Sequence, residues 1–212
     1  MSSPPRPSKI VCVGRNYHAH AREMGNEVPS RPLLFLKPPS ALIRPGEPIL
    51  MPRDVGRVDF EGEIGVLVGR RARGVDEARA LDHVGGVLPL NDVTARDLQR
   101  SDGQWSRAKG FDTFCPLGTA TPLDDVDLDR LTLITRVNGE ERQRGSTAEM
   151  VFSIPFLVSY VSRIMTLEAG DVLATGTPEG VGPLTEGDVV EVELEGLSIL
   201  KNPVRMREEH RH

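Results

Sequence analysis

The sequence predicts a mainly β, α+β domain with short peripheral helices. Three observations carry this reading. Apolar runs are short and bounded by Gly, Pro, Asn or Asp; the clearest of them alternate with a period of two; and few segments keep helical composition for long. The 21 glycines and 17 prolines suit a turn-rich chain better than a helical bundle.

Residues 9–13 form a short apolar strand that Gly14-Arg15-Asn16-Tyr17 breaks, and 18–24 has helical composition. Residues 25–32 read as a mobile turn-rich stretch. The strand 33–36 stops at Lys37-Pro38-Pro39, because proline cannot donate to a ladder. Residues 49–52 are a short extended piece. Segment 58–69 reads as one strand, with Phe60, Ile64, Val66 and Val68 sharing one parity. A helix over 76–83 leads to a buried strand over 85–90 that ends at Asn91-Asp92, and 94–100 reads as a short helix. Residues 101–118 form a long irregular loop holding Trp105, Lys109 and Cys115. The strand 131–137 runs into Asn138-Gly139, a strong hairpin dipeptide. Ser146 and Glu149 have capping-box spacing and open a helix in which Pro155 forces a break or kink. Strands over 171–174 and 189–194 complete the chain, the second alternating cleanly.

A chain of 212 residues buries about 70% of its unfolded surface without a staple. Residues 1–8 read as a disordered arm, 9–204 as a single domain and 205–212 as a polar tail. The net charge of -5 argues against a general nucleic-acid binder, and no basic run or aromatic platform supports one. The N-terminal stretch lacks the apolar core of a secretory signal and no run reaches transmembrane length, so a membrane partner is not expected and a cytoplasmic location is the default. Cys12 and Cys115, far apart and beside apolar residues, read as reduced core or pocket-wall thiols rather than a disulfide.

The chemistry begins at Glu61 and Glu63. Strand alternation points both the same way, and two carboxylates side by side in an apolar strand repel and resist burial. A hard divalent cation with oxygen ligands resolves both problems; a solvated strand face is the plain alternative. Asp92, at a strand end, is the natural third partner, although Asn91-Asp92 also suits an ordinary turn. Three carboxylates without supporting His or Cys favour Mg²⁺ or Mn²⁺ over zinc. Such a site leaves positions for a 2-oxo acid, whose carbonyl a metal polarises.

His20 and Glu23 stand three apart in the helix-like segment, the spacing of a general base oriented by a carboxylate, and also of a surface ion pair. His18 competes for the same role. Lys109, Arg96 and Arg15 are each able to bind a carboxylate or steady an enolate, and each equally suits solvent. In residues 174–183, the glycines permit close approach to an anion and Thr177 offers a hydroxyl, but neither a P-loop nor a dinucleotide fingerprint is present.

Six segments in order resemble the fumarylacetoacetate hydrolase family: Val13-Gly14-Arg15-Asn16-Tyr17, Phe35-Leu36-Lys37-Pro38, Glu61-Gly62-Glu63, Asn91-Asp92-Val93-Thr94-Ala95-Arg96-Asp97, Ala108-Lys109-Gly110-Phe111-Asp112 and Thr175-Gly176-Thr177-Pro178-Glu179-Gly180-Val181-Gly182. The resemblance spans about residues 10–200 and is to the compact branch that includes acylpyruvases, mitochondrial oxaloacetate decarboxylases and oxaloacetate tautomerases. It implies a mixed β-sheet roll around the metal site, usually in a homodimer. It implies metal ligation by Glu61, Glu63 and Asp92, a substrate surrounded by Lys109, Arg15, Gln99 and Thr177, and a mobile lid bearing His20 and Glu23. Two departures flank the implied pocket: a shorter segment between Gln99 and Trp105, and Gly110 and Asp112 where Ser and Thr are frequent.

The expected activity is metal-dependent hydrolysis of an acylpyruvate, with His20 activating water, Glu23 orienting it, and Lys109 steadying the departing pyruvate enolate. The same residues suit oxaloacetate decarboxylation, keto–enol exchange of oxaloacetate, or isomerisation or decarboxylation of a ring-cleavage dioate from aromatic catabolism. An inactive oxo-acid-binding protein is the non-enzymatic alternative.

Overall fold

The computed structural model describes residues 6–23, 25 and 27–208. In chain order its strands and helices are β1 (Ile10–Gly14), α1 (His18–Glu23), β2 (Leu33–Lys37), β3 (Leu42–Ile43), β4 (Ile49–Met51), β5 (Val58–Phe60), β6 (Gly62–Val68), β7 (Val84–Asn91), β8 (Thr94–Ala95), α2 (Arg96–Ser101), α3 (Ser106–Lys109), β9 (Cys115–Pro116), β10 (Thr132–Val137), β11 (Glu140–Ser146), α4 (Ile154–Ile164), β12 (Val172–Ala174), β13 (Gly182–Pro183), β14 (Val189–Leu194) and β15 (Ser198–Met206). The mainly β class expected from the sequence is what the chain forms.

Two five-stranded sheets dominate. The first has the order β2-β1-β12-β6-β7 and the second β11-β10-β14-β15-β4; β13-β5-β8 and β3-β9 are small sheets beside them. The first sheet is mixed, since β1 pairs β12 in parallel and its other neighbours antiparallel. The main core lies between the two large sheets, where Val11, Val13, Ile64 and Val66 of the first belong to one apolar cluster with Leu133, Val192 and Leu194 of the second. In β14 the alternation seen in the sequence is realised: Val190, Val192 and Leu194 are buried while Val189, Glu191 and Glu193 are half-exposed.

Local signals are also realised. Asn138 and Gly139 both adopt positive φ (54° and 82°), as a two-residue hairpin turn between β10 and β11 requires. Ser146 and Glu149 form the capping box, Glu149 accepting from the Ser146 N–H at 2.7 Å. It caps only a three-residue 3₁₀ turn. The longer helix, α4, starts afresh at Ile154 with Ser153 as its cap, so Pro155 sits at the helix entrance, where its missing N–H matters least.

Three further expectations are revised. Segment 58–69 is two strands, not one: Glu61 is a break between β5 and β6, which belong to different sheets. Its backbone turns aside to bond the next motif, the Glu61 N–H donating to Asn91 Oδ1 at 3.0 Å and its carbonyl accepting from the Asp92 N–H at 2.8 Å. The helix expected over 76–83 is a 3₁₀ helix (Glu77–His83). The loop 101–118 contains α3, whose last residue is Lys109.

At the ends, Ser8 is held by its N–H and hydroxyl on Asp171 at 2.8 and 2.7 Å, and residues 1–5 of the expected arm lie outside the described residues. β15 continues through Arg205 and Met206, which pair with β4, and 209–212 of the expected tail lie outside the described residues. Both cysteines are buried and free.

A candidate metal and oxo-acid site

Glu61, Glu63 and Asp92 meet where β5 passes into β6 and β7 ends. One ligand atom from each lies within 4.8 Å of the others, all three side chains are buried, and no other such cluster occurs among the described residues. They line a cavity of about 300 Å³ together with Arg15, His20, Gln99, Lys109 and Thr177. Eight of the nine site residues expected from the sequence thus share one cavity; the ninth, Glu23, does not line it and touches it through His20.

Each carboxylate is differently supported. Lys109 Nζ donates to Glu61 Oε2 at 2.8 Å and to Asp92 Oδ2 at 2.6 Å. Arg96 Nη2 donates to the other oxygen of Glu61 at 2.5 Å, while its Nε reaches Asp59 at 2.9 Å. Lys37 Nζ donates to Asp92 Oδ1 at 2.5 Å. Glu63 has the backbone N–H of Gly176, at 2.8 Å. Burial works to raise the Glu61 carboxyl, but Lys109 and Arg96 outweigh it and hold it well below the usual carboxylate range. Glu63 goes the other way: burial, then the charges of Asp92 and Glu61, push it well above that range. Burial works against the Lys109 ammonium, yet Asp92 and Glu61 keep its pKa above the ordinary lysine value.

This arrangement fits a hard divalent cation. The donor set is all oxygen, and Glu63 is a carboxylate whose charge the surrounding cations do not offset. A dication against Glu61, Glu63 and Asp92 would supply that compensation.

The histidines separate clearly. His18 is exposed, whereas His20 is buried and lines the cavity. His20 Nδ1 lies 3.2 Å from Glu23 Oε2, and Glu23 Oε1 accepts from the Gly180 N–H at 3.0 Å. The helix α1 is thus tied to the glycine-rich segment after β12. Arg96 is buried and lines the cavity, whereas its neighbour Asp97 is exposed and accepts from the Arg57 N–H. Gln99 accepts from Arg96 Nη1 at 2.6 Å. Arg15 enters the cavity from a left-handed backbone, φ 60°. The Thr177 hydroxyl donates to the Gly62 carbonyl at 2.8 Å.

Sequence reasoning missed Lys37 as a site residue, and Phe35 and Trp105 as cavity walls. Phe35 and Trp105 pack edge to face at 5.2 Å, and Lys109 Nζ lies 4.9 Å from the centre of the Phe35 ring. A usable signal existed: Lys37 shares strand parity with Phe35, so the face that brings Phe35 to the cavity brings Lys37 to Asp92.

Known proteins resemble the chain over nearly its whole length. Residues 9–205 match the sequence family described as fumarylacetoacetate (FAA) hydrolase C-terminal. The mitochondrial oxaloacetate tautomerase of Homo sapiens is 49% identical over 193 residues, covering 89% of this chain and 87% of the relative. The crystal structure of 5-carboxymethyl-2-hydroxymuconate delta-isomerase from Mycobacterium smegmatis superposes with a TM-score of 0.89 at 48% identity, covering 96% of this chain and 81% of the other. That of 2-hydroxyhepta-2,4-diene-1,7-dioate isomerase from Mycobacterium marinum does so at 0.89 and 43% identity, covering 98% and 78%.

Proposed function

The chain belongs to the fumarylacetoacetate hydrolase family, and on that footing we propose that it is a metal-dependent enzyme that moves a proton within a 2-oxo diacid of the oxaloacetate type, interconverting keto and enol forms. Sequence reasoning placed acylpyruvate hydrolysis first. The names of its relatives, a tautomerase and two isomerases, favour the proton-transfer reading instead.

One observation carries the proposal: His20, buried and oriented by Glu23, shares a cavity of about 300 Å³ with three carboxylates and Lys109. Glu61, Glu63 and Asp92 would hold Mg²⁺ or Mn²⁺. When bound, the ion supplies Lewis acidity toward a chelating 2-oxo acid. The rest falls to side chains. Glu23 accepts from His20 Nδ1, which leaves the Nε2 lone pair as the acceptor of the imidazole. Nε2 takes a proton from carbon 3 of the oxo acid and returns it to that carbon or to the enol oxygen. Lys109, kept protonated, offsets enolate charge, and Arg15 faces the distal carboxylate. Phe35 and Trp105 give that side of the cavity an apolar wall. None of this requires an attacking water, which hydrolysis does.

The test follows enol oxaloacetate by its ultraviolet absorbance with Mg²⁺ or Mn²⁺ present, beside pyruvate release from acetylpyruvate. Fast ketonisation with slow cleavage supports the proposal. Fast cleavage of acetylpyruvate without catalysed ketonisation restores the hydrolase reading. Binding of oxalate with turnover of neither substrate supports a non-catalytic binder.

A further inference from the structure

Gln143 is buried on β11, in the second sheet, and does not line the cavity. Its carboxamide nevertheless reaches the segment between the two glutamates. Oε1 accepts from the Gly62 N–H at 2.9 Å. Nε2 donates to Thr177 Oγ1 at 2.7 Å and to the Pro178 carbonyl at 2.9 Å. The Thr177 hydroxyl in turn donates to the Gly62 carbonyl at 2.8 Å. The ring is closed: both polar groups of Gly62 and both ends of the Gln143 amide are satisfied within it.

We infer that Gln143 is a positioning residue that sets, from outside the cavity, both the Glu61–Gly62–Glu63 backbone and the direction of the Thr177 hydroxyl. For the backbone, Gly62 lies between two carboxylates that must converge, and rotation of its peptides would swing them apart. The second sheet presses directly on this point. A Cβ at Gly62 would collide with Thr135 Oγ1 and come within 3.2 Å of Gln143 Oε1. No longer side chain fits between the glutamate pair and Gln143.

For the hydroxyl, the donor count decides. A threonine has one proton and two acceptor lone pairs. Nε2 of Gln143 can only donate, so it fills one lone pair of Thr177 Oγ1 and fixes that oxygen in place. The single proton then has two uses. It goes to the Gly62 carbonyl, as in this structure, or it turns toward an anionic ligand in the cavity that Thr177 lines. Gln143 holds the oxygen still in either case, so the exchange is a rotation of one O–H bond rather than a movement of the loop. The expectation that Thr177 donates to substrate therefore requires this rotation.

The metal half of this inference rests on the site proposed above, and its test reads binding directly. Gln143→Met keeps the volume and removes both hydrogen-bonding ends. With the melting temperature checked first, titration with Mn²⁺ and then with oxalate in the presence of Mn²⁺ should each show affinity lower by about 10–100-fold, the range for residues that orient ligands from behind. In a cycle with Thr177→Val, the combined loss for oxalate should fall short of the product of the two single losses, because both act through one hydroxyl. Should Gln143→Met fail to fold, Gln143→Glu, which keeps the shape and an acceptor for Gly62, carries the test, with lower oxalate affinity expected. Parent-like affinities in a folded variant, or losses that multiply, overturn the inference. A parent that binds Mn²⁺ and oxalate but turns over no oxo acid overturns the functional proposal alone.

Discussion

Lys37 and Asp92 are joined by a 2.5 Å hydrogen bond between two side chains that solvent does not reach. Lys37 also donates to the Val93 carbonyl at 3.1 Å, so one ammonium fixes the carboxylate and the turn that carries it. Removing one partner of such a pair leaves a buried charge uncompensated. Lys37→Met should therefore lower stability by about 3–5 kcal/mol in EDTA, toward the lower end because Lys109 still contacts Asp92. Saturating Mg²⁺ should recover part of the loss, since at the proposed site it would take over the compensation of Asp92 that Lys37 gives and so stabilise the variant more than the parent. Urea denaturation with and without Mg²⁺ measures this, and a loss indifferent to Mg²⁺ would count against the metal site.

His20→Ala should reduce turnover of the oxo acid by about 10²–10⁴-fold, the usual contribution of a general base. Mn²⁺ affinity should stay near that of the parent, because His20 is not among the three ligand carboxylates. Loss of Mn²⁺ binding in this variant would contradict the assignment.

Glu63 makes the metal-free protein sensitive to alkali. Its folded pKa lies above its unfolded value, because burial and the charges of Asp92 and Glu61 disfavour the carboxylate. The stability it confers is complete below the unfolded carboxylate range and drains away as pH rises through the folded value. The melting temperature in EDTA should thus fall as pH climbs from the ordinary carboxylate range toward that raised value, and Glu63→Gln should flatten that fall. Mn²⁺ affinity should rise over the same interval as the proton competes less.

Asp171 has the opposite sign. Burial works to raise its pKa, but Lys9, the Glu168 N–H and Ser8 outweigh it and hold it below the ordinary aspartate value. Its contribution is present above the unfolded pKa and is lost as pH falls through the folded one. Asp171→Asn should cost about 1–3 kcal/mol at neutral pH, and less in acid, as read by urea denaturation at the two conditions. An undiminished difference in acid would refute the linkage.

How far the sequence could be read depended on the range of each interaction. The Asn138-Gly139 turn, the capping box at Ser146 and the alternation of β14 are local, and all were legible. The three carboxylates were legible because buried acids demand an explanation wherever they occur. The break at Glu61 was not, since apolar alternation runs straight across it and only the distant Asn91 and Asp92 show why the backbone turns. Lys37 and Gln143 were missed for a related reason. A lone Lys or Gln ordinarily faces water, and what buries each of these is a partner 55 or 81 residues away. The 3₁₀ helix ending at His83 shares its composition with an α-helix, and no pattern of side chains separates the two.

Glu23 spends one oxygen on the imidazole and the other on the Gly180 amide, in a segment that α1 does not contain. The carboxylate beside the imidazole is thereby pinned from two sides. A shift of α1 away from the glycine-rich segment would break the Gly180 anchor and free that carboxylate to turn. On the proposed reading, the base has a fixed partner only while α1 rests on that segment.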